Sequence, residues 1–492
     1  MNFNPSIYEF NTRIWLQQFS KEKNPVILEN IPNNYWDGFA KKGFDYVWLM
    51  GIWKTCDSVI DKYCFEDGLV KSYDRALKGW KREDVIGSPF AIDVYQPNPK
   101  IGTLNTLLGL KSQLDKKGIK LILDFIPNHF SADSSLINTN PDIFLEVDID
   151  TFKKDPYTFY QPQKDSNKYF AHGRDPFFPA WQDTIQINFF SCDARNFLTK
   201  TLLNLTKVCD GVRCDMAMLP LNNVFNNTWG GILSGNGYEI PKTEFWGETI
   251  SAVKKERTDF IFIAEVYWDL EWKLQQLGFD FTYDKTLTDR LRFGKAKDIH
   301  NHLLAENEYQ KKSLRFIENH DEERAAAVFG KDKSKAAAVI ISSIQGMHFF
   351  NDGQFVGKKI KLPVQLGREP EESLLNGMKD FYDKLLSITS QEIFKRGKWM
   401  LLDPVSSYNN NTSFENILAW MWTFREEKRI VVVNYSDMVS TCRLKLDVRG
   451  YSDEFVVNDL LNNHNYTRSA EEVFHQGLYI ELKPYQSHIF SF

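Results

Sequence analysis

Leu121-Ile122-Leu123-Asp124-Phe125-Ile126-Pro127-Asn128-His129 is an apolar run of β-forming residues that ends in polar and basic groups. Three later segments repeat the pattern: Gly211-Val212-Arg213-Cys214-Asp215, Phe260-Ile261-Phe262-Ile263-Ala264-Glu265 and Phe316-Ile317-Glu318-Asn319-His320-Asp321. Each reads as a buried parallel strand, continuous in hydrophobicity because both of its faces are covered. Four such strands that deliver carboxylates, histidines and an arginine at their C-terminal ends are what a (β/α)8 barrel uses to build an active site.

The intervening pattern supports that reading. Tyr8 to Leu16 is predicted as strand one and Asp45 to Trp53 as strand two, with a helix over Tyr35 to Lys42 between them. A loop is expected from about Lys54 to Lys100. Thr103 suits a helix N-cap, Leu104, Leu107, Leu108 and Leu114 form a helical stripe, and Gly118 suits the C-terminal turn. Asp193 to Val208 reads as a helix, Asn222 to Gly247 as a long loop walling the site, and Thr249 to Glu256 as a helix. Leu277 to Tyr283, Ser313 to Asn319 and Met347 to Asn351 are candidate strands six to eight, with an alanine-rich helical stretch from Glu322 to Ser343 before the last.

Two regions fall outside the alternation. From Phe130 to Phe190 turn residues and aromatics abound without periodicity, and a loop that long in a compact domain is usually functional. Past Lys395 come short β-rich runs, Ile417 to Arg425, Arg429 to Asn434, Cys442 to Leu446 and Leu478 to Leu482. The expected organisation is a TIM barrel of residues 1–129 and 191–394, an inserted subdomain of 130–190, and a C-terminal antiparallel β-sandwich of 395–492.

Composition excludes several function classes. The 492 residues carry a net charge of −5 and no basic patch, so nucleic acid is not an expected partner. No apolar run is long enough to span a membrane, and Met1-Asn2-Phe3-Asn4-Pro5 lacks the charged and apolar regions of a signal peptide, so a cytoplasmic location is expected. Cys56, Cys64, Cys192, Cys209, Cys214 and Cys442 form no zinc spacing and suit reduced thiols. Aromatics make up 14% of the chain, which suits stacking on sugar C–H faces as well as core packing.

The four segments resemble, in order, the motifs of the α-amylase family of glycoside hydrolases: Asp-x-x-x-Asn-His, Gly-x-Arg-x-Asp, an isolated Glu after an apolar strand, and Asn-His-Asp. Ser88-Pro89-Phe90 to Tyr95 and Gly102-Thr103 are similar to further family stretches. The resemblance implies a retaining attack on α-glucosidic bonds of glucose oligomers or polymers, with Asp215 as nucleophile and Glu265 as general acid/base. It implies that Asp321 holds sugar hydroxyls, that His129 and His320 donate to hydroxyls, that Tyr95 stacks beneath the ring, and that Asp124 orients Arg213. Arg213 lies two residues before Asp215, so on a strand both face the same side, where the guanidinium favours an ionised carboxylate.

The chain departs from the family pattern where many members hold a structural calcium. Asn128 is present, but Gln186 stands where Asp is common and Leu219 where His is common. Calcium prefers several charged oxygen ligands, so none is expected there, and no other cofactor is. Met218-Leu219 replaces a Lys-His pair that binds the leaving-side sugar in typical α-amylases, which argues against endo-acting α-amylase specificity without touching the bond-breaking machinery. A transglycosylase or phosphorylase of the same family shares the first half-reaction and remains an alternative. So does a catalytically inactive carbohydrate-binding barrel, although the intact Arg213, Asp215, Glu265 and Asp321 argue against it.

Overall fold

Eight parallel strands close on themselves in the computed structural model, which describes residues 4–19, 27–162 and 167–492. The strands are β1 (Ser6–Asn11), β2 (Tyr46–Met50), β3 (Lys120–Phe125), β4 (Gly211–Cys214), β5 (Ile261–Ala264), β6 (Phe281–Tyr283), β7 (Ser313–Arg315) and β8 (Met347–Asn351). Each pairs with its neighbours in chain order, and β8 returns to β1 through Ser6↔His348 to Glu9↔Asn351. Nearly every strand residue is buried, which is why these segments read as continuous apolar runs. Met1–Phe3, which enter the signal-peptide reading, and residues 163–166 of the expected insert lie outside the described residues.

Several expected elements take other bounds. β1 ends at Asn11, and Thr12–Trp15 forms a helical turn in place of a strand reaching Leu16. Trp15 there packs 4.5 Å from Phe10 and 5.7 Å from Trp36, so an aromatic cluster buries these residues as well as a strand would. β3 stops at Phe125, short of His129, because Pro127 cannot donate to a ladder. His129–Ser131 instead pairs antiparallel with Thr184–Gln186 and opens the insert, which also carries a three-stranded sheet. In helix Leu104–Asp115 the buried face is Leu107, Leu110 and Leu114, whereas Leu104 and Leu108 are exposed. Thr103 does cap this helix, accepting from the Thr106 N–H.

The stretches expected as loops are partly helical. Ser58–Tyr63 and Asp67–Ala76 are helices, and with Val85 and Leu366 they enclose a small core of Ile60, Tyr73 and Leu77. Asn222–Gly235 is a helix of 14 residues that buries Val224, Phe225, Trp229 and Leu233. Its asparagines and glycines are poor helix formers, and the apolar stripe overrides them.

The C-terminal region is a six-stranded antiparallel sheet in the order Lys398–Leu402, Ile417–Phe424, Glu427–Asn434, Ser487–Ser491, Glu454–Asp459, His464–Ser469. A two-stranded sheet of Ser440–Leu444 and Leu478–Leu482 faces it. Alternation explains its unbroken hydrophobicity. Ile417, Ala419, Ile430 and Val432 pack between the two sheets, while Leu418, Trp420, Trp422, Val431 and Val433 join the barrel's own core. Both indole N–H groups of Trp420 and Trp422 donate to the Ser343 carbonyl, at 2.8 and 2.7 Å. Ser343 ends helix Gly330–Ser343, whose last carbonyls have no partner inside the helix. All six cysteines are free, and no helix among the described residues is long and apolar enough to cross a membrane.

Trp422→Ala is expected to lower the unfolding free energy by about 3–5 kcal/mol, because it removes a fully buried ring and its bond to Ser343. Urea denaturation followed by tryptophan fluorescence checks this.

Candidate active site

β-strands bring their C-terminal residues to one rim of a barrel. Here the ladder continues one residue past the strands: Asp215 N donates to Phe125 O at 2.8 Å and Glu265 N donates to Cys214 O at 3.0 Å. Arg213 is level with Asp124 on β3 and Ile263 on β5. Asp215 and Glu265 therefore leave adjacent strands side by side.

The guanidinium of Arg213 is the centre of the group. Nη1 donates to Asp215 Oδ1 at 2.7 Å, Nη2 lies 2.8 Å from Glu265 Oε2 without hydrogen-bond alignment, and Asp124 Oδ1 is 3.8 Å away. The Nε–H donates to the Tyr283 hydroxyl at 3.3 Å, and the rings of Trp48 and Phe90 sit 5.1 and 5.2 Å from the guanidinium carbon. Asp124 accepts from Trp48 Nε1 and from the Gly51 N–H, so its orientation is held from β2. Glu265 accepts from the Met216 N–H at 2.6 Å and contacts the Tyr267 hydroxyl at 3.0 Å. Met216 holds a left-handed backbone, φ 42°, which is unfavourable for a side chain of its type and recurs at functional sites.

The environments of the acids differ. Burial raises Glu265 to about 7, with Asp215 and Asp321 adding to the rise and Arg213 opposing it. Burial also raises Asp215, against the pull of Arg213's charge and hydrogen bond. Asp124 is raised to about 7 by burial, again opposed by Arg213. Asp321 is the reverse: burial works against its charge, but His320 outweighs it and holds the carboxyl below the usual range. His320 Nε2 lies 2.9 Å from Asp321 Oδ2.

The structure gathers Arg213, Asp215, Glu265, Asp124, His320 and Asp321 into one site. His129 stands apart from the acids in its bonding: it packs 5.4 Å from the Trp181 ring, and burial lowers it to about 3, so it is neutral. Tyr95 differs from its expected role. Its hydroxyl donates to Ile126 O and accepts from Ile126 N–H, and its ring packs on Phe125, Trp53 and Phe130. Phe90, like Trp48, lies beside both Arg213 and His320, the latter at 5.4 Å. Phe90, Tyr267, Tyr283 and Glu9 were not singled out in the sequence. For Glu9 a signal existed, an acid in the middle of the apolar run Ile7-Tyr8-Glu9-Phe10. Cavities open on both sides: one of about 520 Å³ beside His320 and Asp321, and one of about 420 Å³ beside Met216, Tyr267 and Trp268.

The candidate calcium ligands do not fit a cation. Gln186 Nε2 lies 2.9 Å from Asn128 O, 3.0 Å from Asn128 Oδ1 and 3.0 Å from Ile187 O. Two of these are backbone carbonyls, which only accept, so the nitrogen end of the amide must face them. An N–H group thus takes the oxygens that a cation would need. Leu219 contributes a buried apolar side chain, and no group of three or more His, Cys, Asp or Glu is placed to hold a metal among the described residues.

Comparison with known proteins bears on this site. Residues 90–384 match the alpha-amylase catalytic domain family. Alpha-amylase 3 of Dictyoglomus thermophilum is 23% identical over 410 residues, covering 73% of this chain and 76% of the relative. Cyclomaltodextrin glucanotransferase of Geobacillus stearothermophilus is 37% identical over 105 residues, 20% of this chain and 13% of the relative. A noncanonic maltogenic alpha-amylase from Thermotoga neapolitana superposes with a TM-score of 0.68 at 17% identity, over 100% of this chain and 99% of its own.

Treatment with EDTA is expected to leave the thermal unfolding midpoint within about 1 °C of the untreated protein, while Gln186→Ala costs about 1–3 kcal/mol by stranding buried carbonyls. Differential scanning calorimetry with and without chelator checks both.

Proposed function

The chain belongs to the alpha-amylase family of glycoside hydrolases, and on that footing we propose that Asp215, Glu265 and Asp321 carry out retaining cleavage of α-glucosidic bonds in glucose oligomers or polymers. The observation that carries this reading is the single buried guanidinium of Arg213 contacting both Asp215 and Glu265. It gives Asp215 an aligned, charge-assisted hydrogen bond and Glu265 only an unaligned contact. The pair then shares one proton, and that proton resides on Glu265.

Glu265 protonates the glycosidic oxygen as the bond to the anomeric carbon breaks, and Asp215 attacks that carbon from the opposite face. A glycosyl ester on Asp215 results. Glu265, now a carboxylate, takes a proton from water, whose oxygen displaces Asp215 with a second inversion. Asp321, held ionised by His320, accepts from sugar hydroxyls as the ring flattens. Arg213 and Asp124 keep Asp215 in place, His129 donates to a hydroxyl, His320 holds Asp321, and Phe90 offers an apolar face in the role first expected of Tyr95. The substrate class follows from relatives named as alpha-amylases and a maltogenic alpha-amylase. The local likeness to a cyclomaltodextrin glucanotransferase keeps transfer to a sugar acceptor as a second reading, since the first half-reaction is common to both. Six unbridged cysteines suit a reducing compartment, which supports a cytoplasmic location.

The test is product analysis on maltooligosaccharides, starch, pullulan, sucrose and trehalose, each with and without phosphate. Asp215→Asn is expected to abolish turnover, and α-anomeric first products by NMR mark retention. Undiminished cleavage by Asp215→Asn would refute the assignment of the nucleophile. The rate, kcat/KM, is expected to fall as pH rises through about 7, when Glu265 loses the proton it must donate. Glu265→Gln is expected to lose about 10²–10⁴-fold on maltooligosaccharides and far less on α-maltosyl fluoride, whose leaving group needs no proton.

A further inference from the structure

Glu9 is a carboxylate in the interior of the barrel, 1% exposed, in the middle of β1. It is level with Trp48 on β2 and Asn351 on β8, and no Lys or Arg is ion-paired with it among the described residues. Its charge faces one cationic partner, His320 Nδ1, at 2.6 Å from Oε1. The other nitrogen of the same ring, Nε2, lies 2.9 Å from Asp321 Oδ2 as a charge contact without hydrogen-bond alignment. Ionised carboxylates only accept hydrogen bonds, so an imidazole lying between two of them carries a proton on each nitrogen. Trp48 edge-on at 5.5 Å and Phe90 at 5.4 Å fix the plane of the ring. A buried charge without a partner is costly, and a strand that places an acid at this level therefore needs His320 charged.

We propose that Glu9 is a positioning residue of the glycosidase: it anchors His320 through Nδ1, keeps it an imidazolium, and so holds its positive charge against Asp321. The inference rests on the reading of Asp321 as a substrate-holding acid. The groups that face His320 are Glu9 from β1, Asp124 from β3, Arg213 from β4 and Asp215 just past it, and Asp321 beside it, with Lys361 reaching the Asp321 carbonyl. The acids among them outnumber Arg213 and Lys361, and the direction of His320's shift, well above the usual imidazole range, agrees: burial opposes the charge, and Asp321 and Glu9 overcome it. With His320 charged beside it, Asp321 remains an anion through the range in which Glu265 titrates, so the two acids keep separate duties.

The experiment is a double-mutant cycle on maltoheptaose hydrolysis with Glu9→Gln, His320→Asn and the pair. Gln keeps the shape and an acceptor but removes the charge. Glu9→Gln is expected to lower kcat/KM by about 10–100-fold and to add a new loss of activity on the alkaline side, where His320 now gives up its proton. In the His320→Asn background the same change is expected to cost less than about 3-fold, because its effect runs through His320. Additive losses, or an unaltered pH profile, would overturn the proposal while leaving the glycosidase reading intact. A second measurement needs no Glu9 variant and no substrate. In wild-type protein labelled with 13Cε1-histidine, the resonance missing from His320→Asn should titrate well above the ordinary imidazole range, and a midpoint within that range would equally overturn it. Should maltoheptaose not be cleaved at all, the glycosidase reading fails, and the titration still decides whether Glu9 holds His320 as a cation.

Discussion

A guanidinium sealed inside the barrel is the constraint on which the site depends. Arg213 is 1% exposed, and a buried charge is tolerated only when it is paired and hydrogen-bonded. Five neighbouring strands or their ends meet that demand: Trp48 from β2, Asp124 from β3, Asp215 from β4, Glu265 from β5 and Tyr283 from β6. The same contacts that stabilise the arginine place two carboxylates side by side at the rim. Structure and chemistry therefore share one set of interactions, and loosening the arginine would disturb both.

Four carboxyls crowd into this space, and they cannot all ionise alike. Burial pushes Asp124, Asp215 and Glu265 upward, Asp321 stands at the more exposed rim, and what further separates them is the company each keeps. Asp321 has His320, and the shift reverses. Asp215 has the aligned bond from Arg213. Glu265 has a backbone N–H and a phenol but no aligned cation, and it is left to hold the proton. In the proposed mechanism, acid and nucleophile are thus distinguished by hydrogen-bond geometry around one cation, and not by residue type.

The outer layers serve this rim indirectly. The helix between β7 and β8, Gly330–Ser343, is buried along most of its length because the C-terminal sheet covers it, with Trp420 and Trp422 closing the helix end through the Ser343 carbonyl. The insert is held to the barrel by an amide, Gln186 on Asn128, at the place where the family resemblance points to charged ligands. A neutral hydrogen-bond donor here does the tethering.

How much of this was legible in the sequence depended on how local the determining physics was. An apolar run ending in an acid is a property of a few consecutive residues, so the barrel strands, Asp215, Glu265, Asp321 and Arg213 could be read from the chain alone, along with the β-rich C-terminal region. Helix faces were less legible: leucines surround Leu104–Asp115, and only contact with the barrel selects Leu107, Leu110 and Leu114 for burial. Asn222–Gly235 reads as loop by propensity and folds as a helix because its apolar stripe finds a surface. The choice between Phe90 and Tyr95 was made by which way the loop turns after β2. The bond between Glu9 and His320 joins residues 311 positions apart and exists only because β8 closes onto β1. The sequence by itself determined which chemical groups reach the rim. The closure of the barrel decided which of them touch, because hydrogen bonds and charge pairing act over a few ångströms and chain order does not encode that proximity.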